Sequence, residues 1–118
     1  MNERDIFLAD CPARTTLEFI ADTWSVVVIA GLGRGPCRFT DLREMIGGIS
    51  KKMLAQTLRK LERSGLVRRR AISSAPAGVE YRLTPLGESL LEPVCVLSRW
   101  AEDNADDVVR AQQDQLVA

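Results

Sequence analysis

Residues 50–70 constrain the fold most, because one run combines a helix start, a helix end and a basic strand. Ser50 is a favourable helix N-cap, since its hydroxyl can accept from a free backbone N–H of the first turn. Gly65 is placed to end the helix, because glycine tolerates the left-handed conformation of many helix C-termini. Between the two, residues at helical spacing predict one buried stripe: Met53, Leu54, Thr57, Leu58 and Leu61.

The other side of this helix is polar and cationic. Basic residues also dominate the surrounding chain: residues 34–82 hold twelve against four acids, whereas the whole chain has sixteen of each. Such a segment is typical of a polyanion-binding surface. Two plainer explanations stay open, an ordinary solvated amphipathic helix and a segment whose charges pair with the acidic ends. The polar side consists of Lys52, Gln56, Arg59 and Arg63, at steps of four, three and four residues.

The chain of 118 residues suits a single domain, predicted over residues 1–118 with its core at about 11–100. Residues 1–10 are expected to form an arm, and residues 101–118 a C-terminal helix end or tail. The N-terminus lacks the pattern of a signal peptide, and the longest apolar run, residues 26–32, is far too short to span a bilayer. We therefore expect a cytoplasmic protein that does not associate with membranes.

The sequence carries no catalytic or metal-binding constellation. It has no histidine and no CxxC pair, and its three cysteines are separated: Cys11, Cys37 and Cys95. A zinc site needs clustered Cys or His, and a Cys–His or Ser–His nucleophile pair needs a histidine. We therefore expect no catalytic residue, no metal and no cofactor, and an enzyme such as a thiol peroxidase is the least favoured function class.

Caps and turns divide the first part of the chain into short elements. Pro12 is placed in the first turn of one helix, and Asp22 or Thr23 is placed to cap a second helix over residues 24–32. Residues 37–39 suit a minimal strand. Thr40 is then placed to cap a short helix, which a glycine turn joins to the helix after Ser50, and such a pair is typical of a helix-turn-helix. Its predicted inner face is Leu42, Met45 and Ile46.

The second part of the chain predicts a hairpin and a long helix. Residues 66–72 and 79–83 read as two strands, and the loop between them, residues 73–78, is long enough to project as a wing. Thr84 followed by Pro85 is a strong helix start. Pro93 is expected to kink or divide this helix. The predicted fold class is therefore mainly α with a small β-hairpin (α+β).

With this order of predicted elements, the chain resembles the HxlR family of MarR-like winged helix-turn-helix regulators in bacteria. The resemblance covers about residues 11–100 and rests on CP at 11–12, DTW at 22–24, residues 35–70, residues 79–94 and the region of Trp100. Thr23 stands where the family commonly has a lysine, and the wing loop is small and nearly uncharged, which weakens the expectation of contacts at the wing tip. The resemblance implies additional N- and C-terminal helices that form a dimer interface.

The function implied is a sequence-specific, dimeric, DNA-binding transcriptional regulator, a repressor or an activator. The N-terminal half of the helix after Ser50 is expected to reach base edges, and neighbouring residues are expected to contact phosphates. Arg68 and Arg70 share one face of their strand and Arg69 the other. The alternatives are surface charge at any one position and a winged-helix protein-interaction module without DNA binding. The predicted DNA-binding residues are Thr40, Lys51, Lys52, Gln56, Arg59, Lys60, Arg63, Arg68 and Arg70, and the predicted partner is a pseudo-palindromic double-stranded operator.

Two further sites are predicted at the ends of the domain. Apolar residues of the last helix exceed the needs of one small domain and are expected at the homodimer interface, with an intramolecular core as the alternative: Leu90, Val94, Leu97 and Trp100. Cys11 stands at a helix start, which favours a reactive thiolate, and in the family such a cysteine can sense oxidants or electrophiles. The alternatives are a buried, inert Cys11 and a small-molecule effector as the signal. Cys37 and Cys95 are expected in the core.

Overall fold

The computed structural model describes residues 7–72 and 78–117, in which six helices and one three-stranded sheet form a winged helix-turn-helix. The strands pair antiparallel in the order β1-β3-β2. This confirms the predicted fold class. The elements are α1 (Pro12–Ile20), α2 (Thr23–Leu32), β1 (Cys37–Arg38), α3 (Phe39–Met45), α4 (Lys51–Arg63), β2 (Val67–Ala71), β3 (Val79–Leu83), α5 (Pro85–Glu88) and α6 (Leu91–Val117).

The helix-turn-helix is α3, its turn and α4, and its local sequence signals are largely confirmed. The Ser50 hydroxyl accepts from the Met53 backbone N–H at 3.0 Å, and Gly65 follows the helix with φ of +76°. Thr40 is not the cap of α3, because β1 ends at Arg38 and the chain enters the helix at once, so Arg38 is the capping position. Met45 is also 42% exposed rather than inward.

The core lies between α2, α4 and the inner face of the sheet. The predicted stripe of α4 is buried except for Met53, which stands at its margin and is 37% exposed. Each fully buried leucine contributes about 1.5–3 kcal/mol to stability. The packing therefore fixes which side of α4 remains free. The most deeply buried side chains are Val28, Ile29, Leu42, Leu54, Leu58 and Leu61.

The helix that begins after Thr84 is divided into two, which was one of the two effects expected of Pro93. The break, however, lies before the proline. Thr84 caps α5 by accepting from the Gly87 N–H at 3.1 Å, and α5 ends at Glu88. Pro93 lies in the first turn of α6, where no N–H is needed, whereas in a continuous helix its ring would clash with the carbonyl of Ser89. Beyond it, α6 runs to Val117, and residues 105–116 are all exposed.

Two predictions fall partly or wholly on residues that are not described. The arm at 1–10 is described only from Phe7, where the chain forms turns up to Asp10. The predicted wing loop, residues 73–78, is described only at Gly78, and the rest of it lies outside the described residues. Within the described part of the chain, no single helix is long and apolar enough to cross a membrane; α1 and α2 pass such a test only as a pair bent by 77°.

Candidate nucleic-acid interface

The outer side of α4 forms a continuous cationic surface. Lys51, Lys52, Gln56, Arg59 and Arg63 are all exposed, and the opposite side of the helix is buried in the core. Over residues 7–72 and 78–117, none of the four cations forms an ion pair. The first turn of α4 contains no acidic residue. The helix therefore presents positive charge and one amide over a length of about 20 Å.

Lys60 is placed differently from its predicted role. One residue further along a helix turns the side chain by about 100°, so Lys60 leaves the face of Arg59 and points towards the junction of α1 and α2. Its Nζ lies 2.5 Å from Asp22 Oδ2 and 5.3 Å from the centre of the Phe19 ring. Lys60 is therefore paired within its own domain, and its predicted contact with phosphate stays a prediction.

Asp22 lies at the centre of this junction. The sequence identified Asp22 only as a possible helix cap. Its Oδ1 accepts from the Ser25 N–H at 3.0 Å, and its Oδ2 accepts from the Ser25 hydroxyl at 2.8 Å. Burial disfavours the carboxylate, but the hydrogen bonds from Lys60 and Ser25 outweigh it, so that the pKa of Asp22 is lowered. A single ionised carboxylate thus links α4 to the start of α2. No sequence signal joins residues 38 positions apart.

The register of the sheet places the wing arginines. Arg68 lies directly opposite Arg82, and Arg70 directly opposite Glu80, so all four share the outer face of the hairpin. β1 pairs with the other edge of β3, where Arg38 lies directly opposite Glu80 and therefore on the same face of the sheet. The predicted pairing of Arg68 with Arg70 on one face agrees with this register, and Arg69 points to the other face. Sequence reasoning missed Arg38 and Arg82, since only the register brings them to this face.

Thr40, the remaining predicted DNA contact, is exposed in the first turn of α3. Helix N-termini present free backbone N–H groups, which suit phosphate oxygens. Its side chain has no role as the cap of this helix, as described above. Thr40 lies at the start of the first helix of the helix-turn-helix, and its contact with DNA stays a prediction.

The four residues predicted for the dimer interface fall into two groups. Val94 is 7% exposed and lies in the core of its own chain, and Leu90 packs against that core. Leu97 and Trp100 are 58% and 57% exposed. The apolar residues of α6 therefore lie on two sides of the helix, one facing the core and one facing solvent. For Val94, the alternative of a position in the intramolecular core is the correct one. Other exposed apolar side chains on α1 and α6 are Leu17, Phe19, Val96, Val108, Val109 and Leu116.

An open cavity of about 380 Å³ lies beside these exposed side chains, between α1 and α5. Its walls are mainly apolar, and its serine and threonine hydroxyls donate mostly to carbonyls of their own helices. Such a site suits an apolar or weakly polar ligand. The lining residues are Thr15, Thr16, Phe19, Ile20, Ser64, Leu66, Leu86, Ser89 and Leu90.

The three cysteines are free and differ in exposure. Cys11 is only 3% exposed and occupies the N-cap position of α1. Cys37 is half-buried, and its burial, followed by the nearby Asp41 and Glu80 carboxylates, raises the pKa of its thiol. Cys95 is exposed, so the prediction of a core position for it is wrong. No cluster that could hold a metal ion exists among the residues with described positions.

Comparison with known proteins identifies the family. The model of the HxlR-like helix-turn-helix family matches residues 19–109. YtfH of Escherichia coli (strain K12), an uncharacterized HTH-type transcriptional regulator, is 41% identical over 115 residues, which are 98% of this chain and 91% of YtfH. The solved structure of YtfH from Salmonella typhimurium has a TM-score of 0.83 and 40% identity, covering 94% of this chain and 99% of that one.

The redox regulator HypR in its reduced form is also similar, with a TM-score of 0.75 and 32% identity. The match covers 84% of this chain and 98% of HypR. The agreement of sequence and fold over nearly the whole chain excludes a chance likeness in the helix-turn-helix alone. The chain therefore belongs to the HxlR-like helix-turn-helix family and is a transcriptional regulator rather than an enzyme.

Proposed function

We propose that the protein is a homodimer that binds a pseudo-palindromic DNA operator through α4 of each copy. The observation that carries the proposal is the outer side of α4, where four cations without an ion pair in the described part of the chain and one amide face solvent while the opposite side is buried. Double-stranded DNA is densely anionic, and its affinity for proteins comes largely from lysine and arginine contacts that release counterions. A winged helix that binds only proteins usually lacks such a surface.

The two halves of α4 would have different roles in this complex. Recognition helices reach base edges with their N-terminal residues, which here are Lys51, Lys52 and Gln56. Lysine suits the acceptors of guanine, and glutamine pairs with adenine through both amide atoms. Arg63, in the last turn, lies where an inclined helix leaves the bases for the backbone. Base recognition thus belongs to the start of the helix and phosphate binding to its end.

Dimerisation would use the exposed apolar side chains of the terminal helices. Leu97 and Trp100 on α6, with Leu17 on α1, leave apolar surface in water that a second copy could cover. A dimer reads two half-sites, so its specificity exceeds that of one small domain. Since its target is chromosomal DNA, the protein would act in the cytoplasm.

The signal that controls binding would act on α1. Cys11 begins this helix, and HypR, to which the chain is similar, is named a redox regulator. Because Cys11 is buried, an oxidant would reach it only when residues around the start of α1 open locally. A small-molecule effector is the second candidate signal, and the mainly apolar cavity beside α1 favours it, because its volume of about 380 Å³ suits a small ligand.

Selection of duplexes from a random pool tests the proposal. The wild-type protein is expected to enrich two inverted half-sites about one helical turn, or a multiple of it, apart. A variant with Lys52 and Gln56 both replaced by alanine should lose the enriched motif, whereas Gln112→Ala on the exposed end of α6 should keep it. Enrichment of no sequence by the wild-type protein, with its fold intact, would favour the protein-interaction module instead.

A further inference from the structure

The cavity of about 380 Å³ between α1 and α5 also has the end of α4 in its wall. Ser64 is the C-cap residue of α4, Leu66 follows it by two residues, and both line the cavity. Phe19 and Ile20, the last two residues of α1, line it as well. A molecule inside the cavity would therefore touch both α1 and the end of the helix that carries the cationic surface.

The charge of the lining restricts which molecule this can be. Among the residues that the structure describes, those around the cavity include no charged side chain. A carboxylate or an ammonium group would lose its hydration there without gaining an opposite charge, which is strongly unfavourable. The cavity therefore suits an uncharged molecule.

The hydroxyl groups of the lining determine which polar group the molecule should carry. Each of the four donates its proton to a backbone carbonyl and keeps lone pairs that can accept a hydrogen bond. The lining side chains therefore offer acceptors to a ligand rather than donors, and they favour a ligand that donates, such as a phenol. The four hydrogen bonds run from Thr15 to the Cys11 carbonyl at 3.4 Å, from Thr16 to that of Pro12 at 2.8 Å, from Ser64 to that of Lys60 at 2.8 Å and from Ser89 to that of Leu86 at 2.5 Å.

Phe19 favours an aromatic ligand and also connects the cavity to α4. Its ring lines the cavity and is free to stack, since the side chain is 39% exposed. Lys60 Nζ lies 5.3 Å from the centre of the same ring and 2.5 Å from Asp22 Oδ2. A ligand that packs on Phe19 therefore changes the surroundings of Lys60, and Lys60 belongs to α4.

The geometry points to this cavity as the binding site of an uncharged phenol, with Phe19 as the residue that couples the site to DNA binding by α4. The coupling rests on the proposed operator binding, whereas the class of ligand does not. Because coupling between two sites is reciprocal, operator DNA bound to α4 must change the affinity for the phenol by the same factor as the phenol changes the affinity for DNA. This route of control does not need Cys11.

The first test measures the binding of three naphthalene derivatives to the full chain by titration calorimetry at neutral pH. 2-Naphthol should bind several-fold more tightly than 2-methoxynaphthalene, which has no proton to donate. 2-Naphthoate, which is an anion, should show no binding at the same concentrations. Leu86→Trp and Ser89→Trp, which add bulk at the cavity wall, should each weaken the binding of 2-naphthol. Leu116→Trp is the matched control, since Leu116 is exposed at the far end of α6.

The second test repeats the titration of 2-naphthol with the protein saturated by its selected operator. The affinity of the wild-type protein should change by about five-fold or more. Phe19→Leu keeps an apolar lining but removes the ring beside Lys60, so this variant should still bind 2-naphthol and lose the dependence on the operator. Lys60→Met should lose the dependence too, although Lys60 is not among the lining residues.

Three results would overturn the inference. Binding of 2-naphthoate as tight as that of 2-naphthol would overturn the class of ligand. No binding of 2-naphthol, as expected if a second copy of the chain fills the cavity, or unchanged binding in both tryptophan variants would overturn the site. Dependence on the operator that both Phe19→Leu and Lys60→Met retain would overturn the route. Failure of the proposed function is a separate outcome, because a protein that selects no operator leaves the first test unaffected.

Discussion

Replacing Asp22 with alanine is expected to lower the free energy of unfolding by about 2–6 kcal/mol. The carboxylate caps α2 through the Ser25 N–H, and loss of such a cap costs about 0.5–2 kcal/mol. It also accepts from the Ser25 hydroxyl, which is fully buried, and a buried donor left without a partner costs about 1–3 kcal/mol. The ion pair with Lys60 adds less, about 0.2–1 kcal/mol, because the Asp22 side chain is 46% exposed.

Asp22→Asn separates these contributions. Asparagine caps helices as well as aspartate, and its amide oxygen can still accept from the Ser25 N–H, but its NH2 group takes the place of Oδ2 and cannot accept from the Ser25 hydroxyl or from Lys60. We expect Lys60→Met, which removes only the ion pair, to cost at most about 1 kcal/mol, and Asp22→Asn to cost more than Lys60→Met but less than Asp22→Ala. Urea unfolding followed by circular dichroism, at one protein concentration, measures all three variants. The reasoning would be refuted by an Asp22→Ala variant within about 0.5 kcal/mol of wild type, or by an asparagine variant as damaged as the alanine one.

The same carboxylate predicts a pH dependence. Since the pKa of Asp22 is lower in the folded chain than its ordinary 3.8, its stabilising effect is complete above that value. It is lost as the pH falls through the lower folded pKa. The difference in stability between wild type and Asp22→Asn should therefore shrink in acid below pH 3.8 and stay constant between neutral pH and about pH 5. A difference that grows on acidification would contradict this assignment.

Two predictions concern the terminal helices and the thiols. Trp100→Glu should shift the protein from dimer to monomer in sedimentation at micromolar concentration, whereas Gln112→Glu, which adds the same charge on α6, should not; an unchanged dimer would exclude Trp100 from the interface. In native labelling with a maleimide, exposed Cys95 should react before Cys37, whose thiol pKa is raised, and the reverse order would refute the assigned exposures. Cys11→Ser should abolish the loss of operator binding in hydrogen peroxide, and a Cys11→Ser variant that still loses binding in peroxide would remove Cys11 from that role.

The parts of the fold that the sequence predicts correctly are those fixed by neighbouring residues. Ser50 and Gly65 bound α4 because a cap and a positive φ act within one turn. Thr84 and Pro85 start α5 for the same reason. The residue at which α5 ends could not be predicted from the sequence. The ring of Pro93 excludes a continuous helix, but it does not specify which earlier residue ends the first one.

The features that the sequence does not predict depend on residues far apart in the chain. Lys60 and Arg59 are equivalent as surface cations until α2 brings Asp22 beside one of them. Arg82 becomes the neighbour of Arg68 only through the register of the hairpin. Likewise, the apolar spacing of α6 cannot indicate that Val94 faces α2 and the core. In each case the missing information is which surface a helix or strand turns towards the core.

The central claim, that α4 reads bases with its first half and binds phosphate with its last turn, is tested most directly by one titration. Wild type, Gln56→Ala and Arg63→Ala are titrated against the operator and a scrambled duplex at several salt concentrations. Gln56→Ala should lose about 1–3 kcal/mol on the operator and little on the scrambled duplex. Arg63→Ala should weaken both and lower the salt slope by about one. Unchanged operator binding in both variants would contradict the claim, and the reverse pattern would show that α4 lies in the groove with the opposite orientation.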